Sequence, residues 1–256
     1  MIYAGKFSIF EFAMRALPYI TSAIIWLVAG GALVFAQTQD SYEYQTEFVW
    51  GINKNTSGGL IGGFILKAAR KRSDRILETL GVEIMNVKHP QELRTNSYYT
   101  GNFFIFGKNN YLYALRLQYG RDVILFKKAP HQGVEVKAVA AMGPSLGIVA
   151  PYYVEYSLDN SSFLTLRSQY NLNIPIDAIW GTGRLFEGLG ESRLVPGANL
   201  KAGLNFEMGD IKSAVAGFEA GFLLDAYTQK IEMIPRAKQY SIYPTLYITI
   251  FYGTRK

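Results

Sequence analysis

Eight charged side chains of this sequence fall where a period-two pattern turns them toward one another. Glu47, Glu83, Arg116, Glu135, Lys137, Lys201, Glu207 and Glu219 all lie on the small or polar side of alternating segments. Charges gathered this way can form an ion-pair network, a transport path or a catalytic carboxylate set. If eight strands close on themselves, the interior is just wide enough to be filled by side chains, so a packed network is expected and an open pore is not. Pairing with Arg116, Lys137 and Lys201 leaves carboxylates in need of other donors, for which Lys67, Asn199, Asn205, Tyr243 and Tyr247 are available.

Other constellations promise less. His89 falls in a long connection and His131 in a turn at the opposite end, so the two do not meet and both are expected to be solvated. Gly181-Thr182-Gly183 matches part of a dinucleotide fingerprint, but without a strand before it and a helix after it the match reads as a flexible loop. The chain has no cysteine, which excludes disulfides, thiolate metal sites and a lipidated N-terminal cysteine. No catalytic set, metal or cofactor is expected. The basic group Arg70, Lys71, Arg72 and Arg75 reads as a turn whose cations snorkel at an interface or recognise anionic head groups.

The elements that must position these residues are strands. Between residues 195 and 208, Pro196, Ala198, Leu200, Ala202, Leu204, Phe206 and Met208 alternate with Gly197, Asn199, Lys201, Gly203, Asn205 and Glu207. After a minimal turn at Gly209 and Asp210, residues 213–226 repeat the pattern. Further alternating segments at 42–52, 59–68, 79–88, 111–120, 134–156 and 241–252 bring the count to eight. Pro144 and Pro151 mark bends or bulges. The connections at 70–75, 121–133 and 209–211 are short or medium, and those at 89–109, 157–194 and 228–239 are longer.

Short turns at one end and long loops at the other, with an even strand count, predict an all-β fold: an eight-stranded antiparallel up-and-down transmembrane β-barrel. Charge on the small face supports this, because an ion facing lipid costs several kcal/mol near the midplane. A soluble sandwich is the rival, and it would need a second sheet over the broad aliphatic face.

Ahead of the strands, Arg15, an apolar run at 19–35 and Val34-Phe35-Ala36 read as a secretory signal peptide, 1–36, with Met14 a possible true start. Cleavage after Ala36 leaves Gln37 at the N-terminus and a barrel domain at 37–256. An uncleaved anchor is the alternative, since the run is close to spanning length. Without the leader the chain holds 24 basic against 19 acidic residues, mildly basic and evenly spread. Nucleic acid is not an expected partner for such an exported chain.

The leader, the eight alternating strands and the aromatic-rich last strand resemble the small outer-membrane β-barrels of Gram-negative bacteria. Leu194-Val195-Pro196-Gly197 running into Lys201-Ala202-Gly203-Leu204-Asn205-Phe206-Glu207 is similar to uncharacterised barrels of the Bacteroidetes. The resemblance covers about residues 42–256, and it implies location in the outer membrane among its lipids and handling by the outer-membrane insertion machinery. It specifies architecture, and members of this shape range from structural proteins to lipid-modifying enzymes. Lipid A deacylase barrels are similar in size and use a Ser/His pair, which here would require His89 with a loop serine such as Ser97.

With the lumen expected to be filled, function is expected in the extracellular loop at 157–194. Ile174, Ile176, Trp180, Arg184 and Phe186 there offer apolar, aromatic and arginine anchors for a protein partner. The leading expectation is therefore a non-enzymatic structural or partner-binding scaffold. A lipid-modifying enzyme is the alternative, and a narrow channel the third reading.

Overall fold

The computed structural model describes residues 45–58, 62–127, 133–157, 165–184, 187–208 and 214–256. The expected leader, the Gly209-Asp210 turn, His131 and Phe186 lie outside these residues. The strands in chain order are β1 (Thr46–Asn55), β2 (Gly63–Ser73), β3 (Ile76–Val87), β4 (Leu93–Asn96), β5 (Phe103–Phe106), β6 (Asn110–Phe126), β7 (Glu135–Pro151), β8 (Tyr153–Tyr156), β9 (Leu166–Gln169), β10 (Ile179–Thr182), β11 (Arg193–Met208), β12 (Ala214–Ile231) and β13 (Tyr240–Arg255).

Eight of them close an antiparallel barrel in the order β1-β13-β12-β11-β7-β6-β3-β2, and β2 returns to β1. Each barrel strand pairs with the barrel strands before and after it in the chain, the up-and-down arrangement. Gln45 and Thr46 donate their amides to the Lys256 carbonyl at 2.7 and 2.9 Å, so the first and last strands meet where the chain enters and leaves. The β2–β3, β6–β7 and β11–β12 connections lie at that same end, called here the turn end. The four other barrel connections lie at the opposite, loop end.

The barrel is apolar outside and polar within, the inverse of a protein dissolved in water. Phe48, Trp50, Ile52, Phe64, Leu80, Ile84, Leu117, Met142, Leu200, Phe222, Leu246 and Ile250 all point outward and are exposed. Period-two alternation explains this directly, because neighbours along a strand face opposite sides of the sheet. Among the described residues no helix is long and apolar enough to cross a membrane.

Pro144 shows how such a wall is kept whole. It lies in β7 opposite Ala198 of β11, and a proline has no amide N–H to give the ladder. On the other side of β7, the β6 register runs from Arg116↔Ser145 to Tyr119↔Met142 with no pairs between. The amide of Asn199 fills the gap from inside, donating toward the carbonyls of Leu117 (3.3 Å), Gly143 (3.0 Å) and Pro144 (3.1 Å). Gly143 is needed beside it, since a Cβ there would come within 2.1 Å of the Leu117 carbonyl oxygen. In a bilayer no water would serve these groups.

Several boundaries differ from the sequence reading. β2 runs through the basic group to Ser73, leaving only Asp74 and Arg75 as the turn. β6 continues past residue 120 to Phe126, because Arg121, Val123 and Leu125 keep the outward phase while Asp122 and Ile124 keep the inward one. The connection at 89–109 holds the β4–β5 hairpin, and that at 157–194 is no single loop but contributes β9 and β10 to a three-stranded sheet ordered β10-β8-β9. Gly181-Thr182 accordingly belongs to a strand rather than a flexible loop.

The lumen is filled in layers. At the loop end Met85, Val87, Leu112, Val149, Val195, Tyr227 and Tyr243 pack against Ile231, Met233 and Ile234, so the β12–β13 connection closes the mouth. At the turn end Ala69, Leu77 and Ile124 form one small apolar cluster and Val49, Val215 and Phe251 another. The charges lie between.

Candidate functional site

All eight charged residues singled out from sequence are buried in the lumen, in three groups. In the first, Arg116 donates from Nε and Nη2 to the two oxygens of Asp225 at 2.8 and 2.5 Å, and from Nη1 to Glu83 at 3.1 Å. Asn53 and Gln118 supply further hydrogen bonds to Glu83, at 2.8 and 3.4 Å. In the second, Glu219 accepts from Lys201 at 2.8 Å, Tyr247 at 2.9 Å and Lys67 at 3.3 Å, while Lys67 also binds Asp122 at 2.6 Å. In the third, Lys137 is shared by Glu47, Glu135 and Glu207 at 3.1, 3.2 and 3.2 Å, and Arg255 binds Glu207 at 2.7 Å.

The chemistry open to this lumen follows from that pairing. A charge in a low-dielectric interior is tolerable only when paired and hydrogen-bonded, and each group here meets that condition mostly through partners on other strands. The arrangement therefore locks strands together. Three charged members escaped the sequence reading. Asp122 was hidden inside an expected turn, Arg255 in an expected tail, and Asp225 showed the right phase in its strand without standing out. Among the described residues no group of side chains could hold a metal ion.

Above the lumen sits a cap with its own apolar centre: Phe104, Tyr152, Val154, Tyr170, Ile174 and Ile179. Side chains lace the β4–β5 hairpin to β10. Ser97 Oγ donates to the Ile179 carbonyl at 2.6 Å, Thr100 Oγ1 to the Trp180 carbonyl at 2.5 Å and Thr182 Oγ1 to the Phe103 carbonyl at 3.0 Å. Lys108 is wholly buried beneath, 2.6 Å from Glu92 and 4.3 Å over the Tyr111 ring. Burial pushes its ammonium below the ordinary lysine pKa, against the pull of Glu92.

The anchors expected in the 157–194 segment separate here. Ile174 is buried in the cap's centre and is no surface anchor, because β8–β10 need an apolar face of their own. Ile176 is half exposed, Arg184 is exposed and Trp180 is partly so. Trp180 belongs instead to an aromatic surface shared with the other connection. Its ring lies 6.3 Å from Tyr99, which lies 6.2 Å from Tyr98, and Tyr98 is 90% exposed. Phe103 and Leu93 on the hairpin are exposed as well. The tyrosine-rich composition of 89–109 was the available signal for this surface, but nothing in the sequence placed it beside Trp180.

His89 is buried rather than solvated, because the β12–β13 connection covers it. Its Nε2 donates to the Lys238 carbonyl at 2.9 Å while Nδ1 accepts the Gln91 amide at 3.1 Å. With both ring nitrogens engaged and Ser97 committed to Ile179, these two residues do not form a nucleophile–base pair.

No protein-family model matches the chain, and no curated protein matches it. Among solved structures it is similar to the attachment invasion locus protein Ail of Yersinia pestis, at 11% identity over 84% of this chain and 100% of that one, with a TM-score of 0.38. It is similar to Neisserial surface protein A at 10% identity, covering 85% and 100%, TM-score 0.36. A third is a major outer membrane protein from Thermus thermophilus, at 11% identity, covering 84% and 100%, TM-score 0.44.

Proposed function

We propose that this chain is an integral outer-membrane barrel that holds a partner-binding cap at the cell surface. The observation that carries the reading is the aromatic surface of Tyr98, Tyr99, Trp180 and Phe103, presented by two connections laced together over a lumen whose charges are paired internally. Rigid aromatics at a tip supply large contact area at low cost in conformational entropy. A protein partner would bury them. The apolar outer wall supports membrane residence, because an exposed belt of that size needs a cover.

A binding role is favoured over lipid-modifying catalysis by the commitments of His89 and Ser97 to backbone groups elsewhere. Purification of the tagged full chain from native membranes tests the proposal. A protein should accompany the unaltered chain and be lost from Tyr99→Ser/Trp180→Ser, with the barrel still heat-modifiable on gels. Equal capture by both would overturn it.

A further inference from the structure

The outer wall changes character where β1, β2 and β3 reach the turn end. Two grooves of about 620 Å³ each adjoin there and share Thr46 and Arg70. The first is mostly apolar and outward-facing: Phe48, Leu80 and Tyr119 stand around Ala68, whose small side chain leaves the hollow. Ala68 lies directly between Phe48 on β1 and Leu80 on β3 in the sheet register. The second is polar, lined by Arg70, Arg72, Ser73 and Lys71 with Asp74.

The charges nearby are mixed but mainly basic. Arg121 faces outward across from Glu78, which itself lies across from Arg70 and accepts the Tyr119 hydroxyl. Asp74 is 3.7 Å from Lys71. Lys256 closes the far side of the apolar groove. Asp74 is thus paired with Lys71, and Glu78 stands as one carboxylate among the exposed Arg70, Arg72 and Arg121, which form no ion pair among the described residues.

We infer that this double groove binds one anionic phospholipid, its phosphate against Arg70 and Arg72 and an acyl chain along Ala68 between Phe48 and Leu80. A guanidinium matches a phosphate through paired N–H donors, and the hydroxyls of Thr46 and Ser73 can donate to the remaining oxygens. A protein ligand would leave the narrow apolar groove unused, and a free phosphate would need only the polar half. The inference rests on the barrel's lying in a membrane, since only there does the groove meet acyl chains.

Native mass spectrometry of the full chain folded in detergent tests it, with equal amounts of phosphatidylglycerol and phosphatidylcholine, and inorganic phosphate alone in a second arm. The unaltered chain should retain one phosphatidylglycerol in roughly thirtyfold preference, the scale expected of two arginines near an anionic group. Arg70→Gln/Arg72→Gln should lose the preference, Ala68→Phe should lose retained lipid of both kinds, and Lys54→Gln at the other end of β1 should change nothing. Equal retention of the two lipids, unaffected binding in Ala68→Phe, or phosphate binding as strong as the lipid's would overturn it. Failure of the unaltered chain to fold in detergent at all would instead sink the membrane reading beneath it.

Discussion

Arg116 is wholly buried, and its guanidinium is satisfied almost entirely by Asp225 and Glu83. Removing Asp225 as Asp225→Ala should leave that cation without its bidentate partner and cost about 3–5 kcal/mol, the range for breaking a buried pair. Unfolding of the detergent-folded barrel in denaturant would measure the loss, and an unchanged midpoint would show that water reaches Arg116. The phase of these residues was readable in the sequence, since Glu83 and Arg116 alternate with apolar neighbours. Their partnership was not, because Arg116 and Asp225 are 109 positions apart and only barrel closure brings them together.

For the elements, period two was enough to assign faces but not ends. Arg121 reads as the first residue of a turn, whereas it is an outward-facing cation within a strand that continues to Phe126. The cap strands β8, β9 and β10 are only four residues each and pair across irregular connections, too short for alternation to declare them. Two substitutions in β11 test the wall. Leu204→Arg sets a cation on the lipid side and should cost about 2–4 kcal/mol at mid-depth, against roughly 0–1 for Leu194→Arg near the loop end. Folding yield into vesicles should rank them in that order. Asn199→Ala removes the amide that serves the Leu117, Gly143 and Pro144 carbonyls, and a cost of about 1–3 kcal/mol is expected for acceptors stranded away from water. Loss of hydrogen-exchange protection confined to β6 and β7 would locate it.

At the scale of the molecule, a barrel plugged by Met233 and Ile234 at one end and crossed by ion pairs below should pass no ions. Planar-bilayer recording should show no steady single-channel steps. The chain should cross a membrane with its cap outside and its basic groove inside. The absence of cysteine permits a direct measurement, because a single introduced thiol is the only one to react. Tyr98→Cys, at a site 90% exposed on the cap, and Asp74→Cys, at the turn end, should be expressed separately and treated in intact cells with a membrane-impermeant maleimide. Labelling of Tyr98→Cys at once, and of Asp74→Cys only after the outer membrane is opened, is the predicted result. Labelling of Asp74→Cys in intact cells while Tyr98→Cys stays protected, or equal labelling of both in a water-soluble fraction, would contradict it.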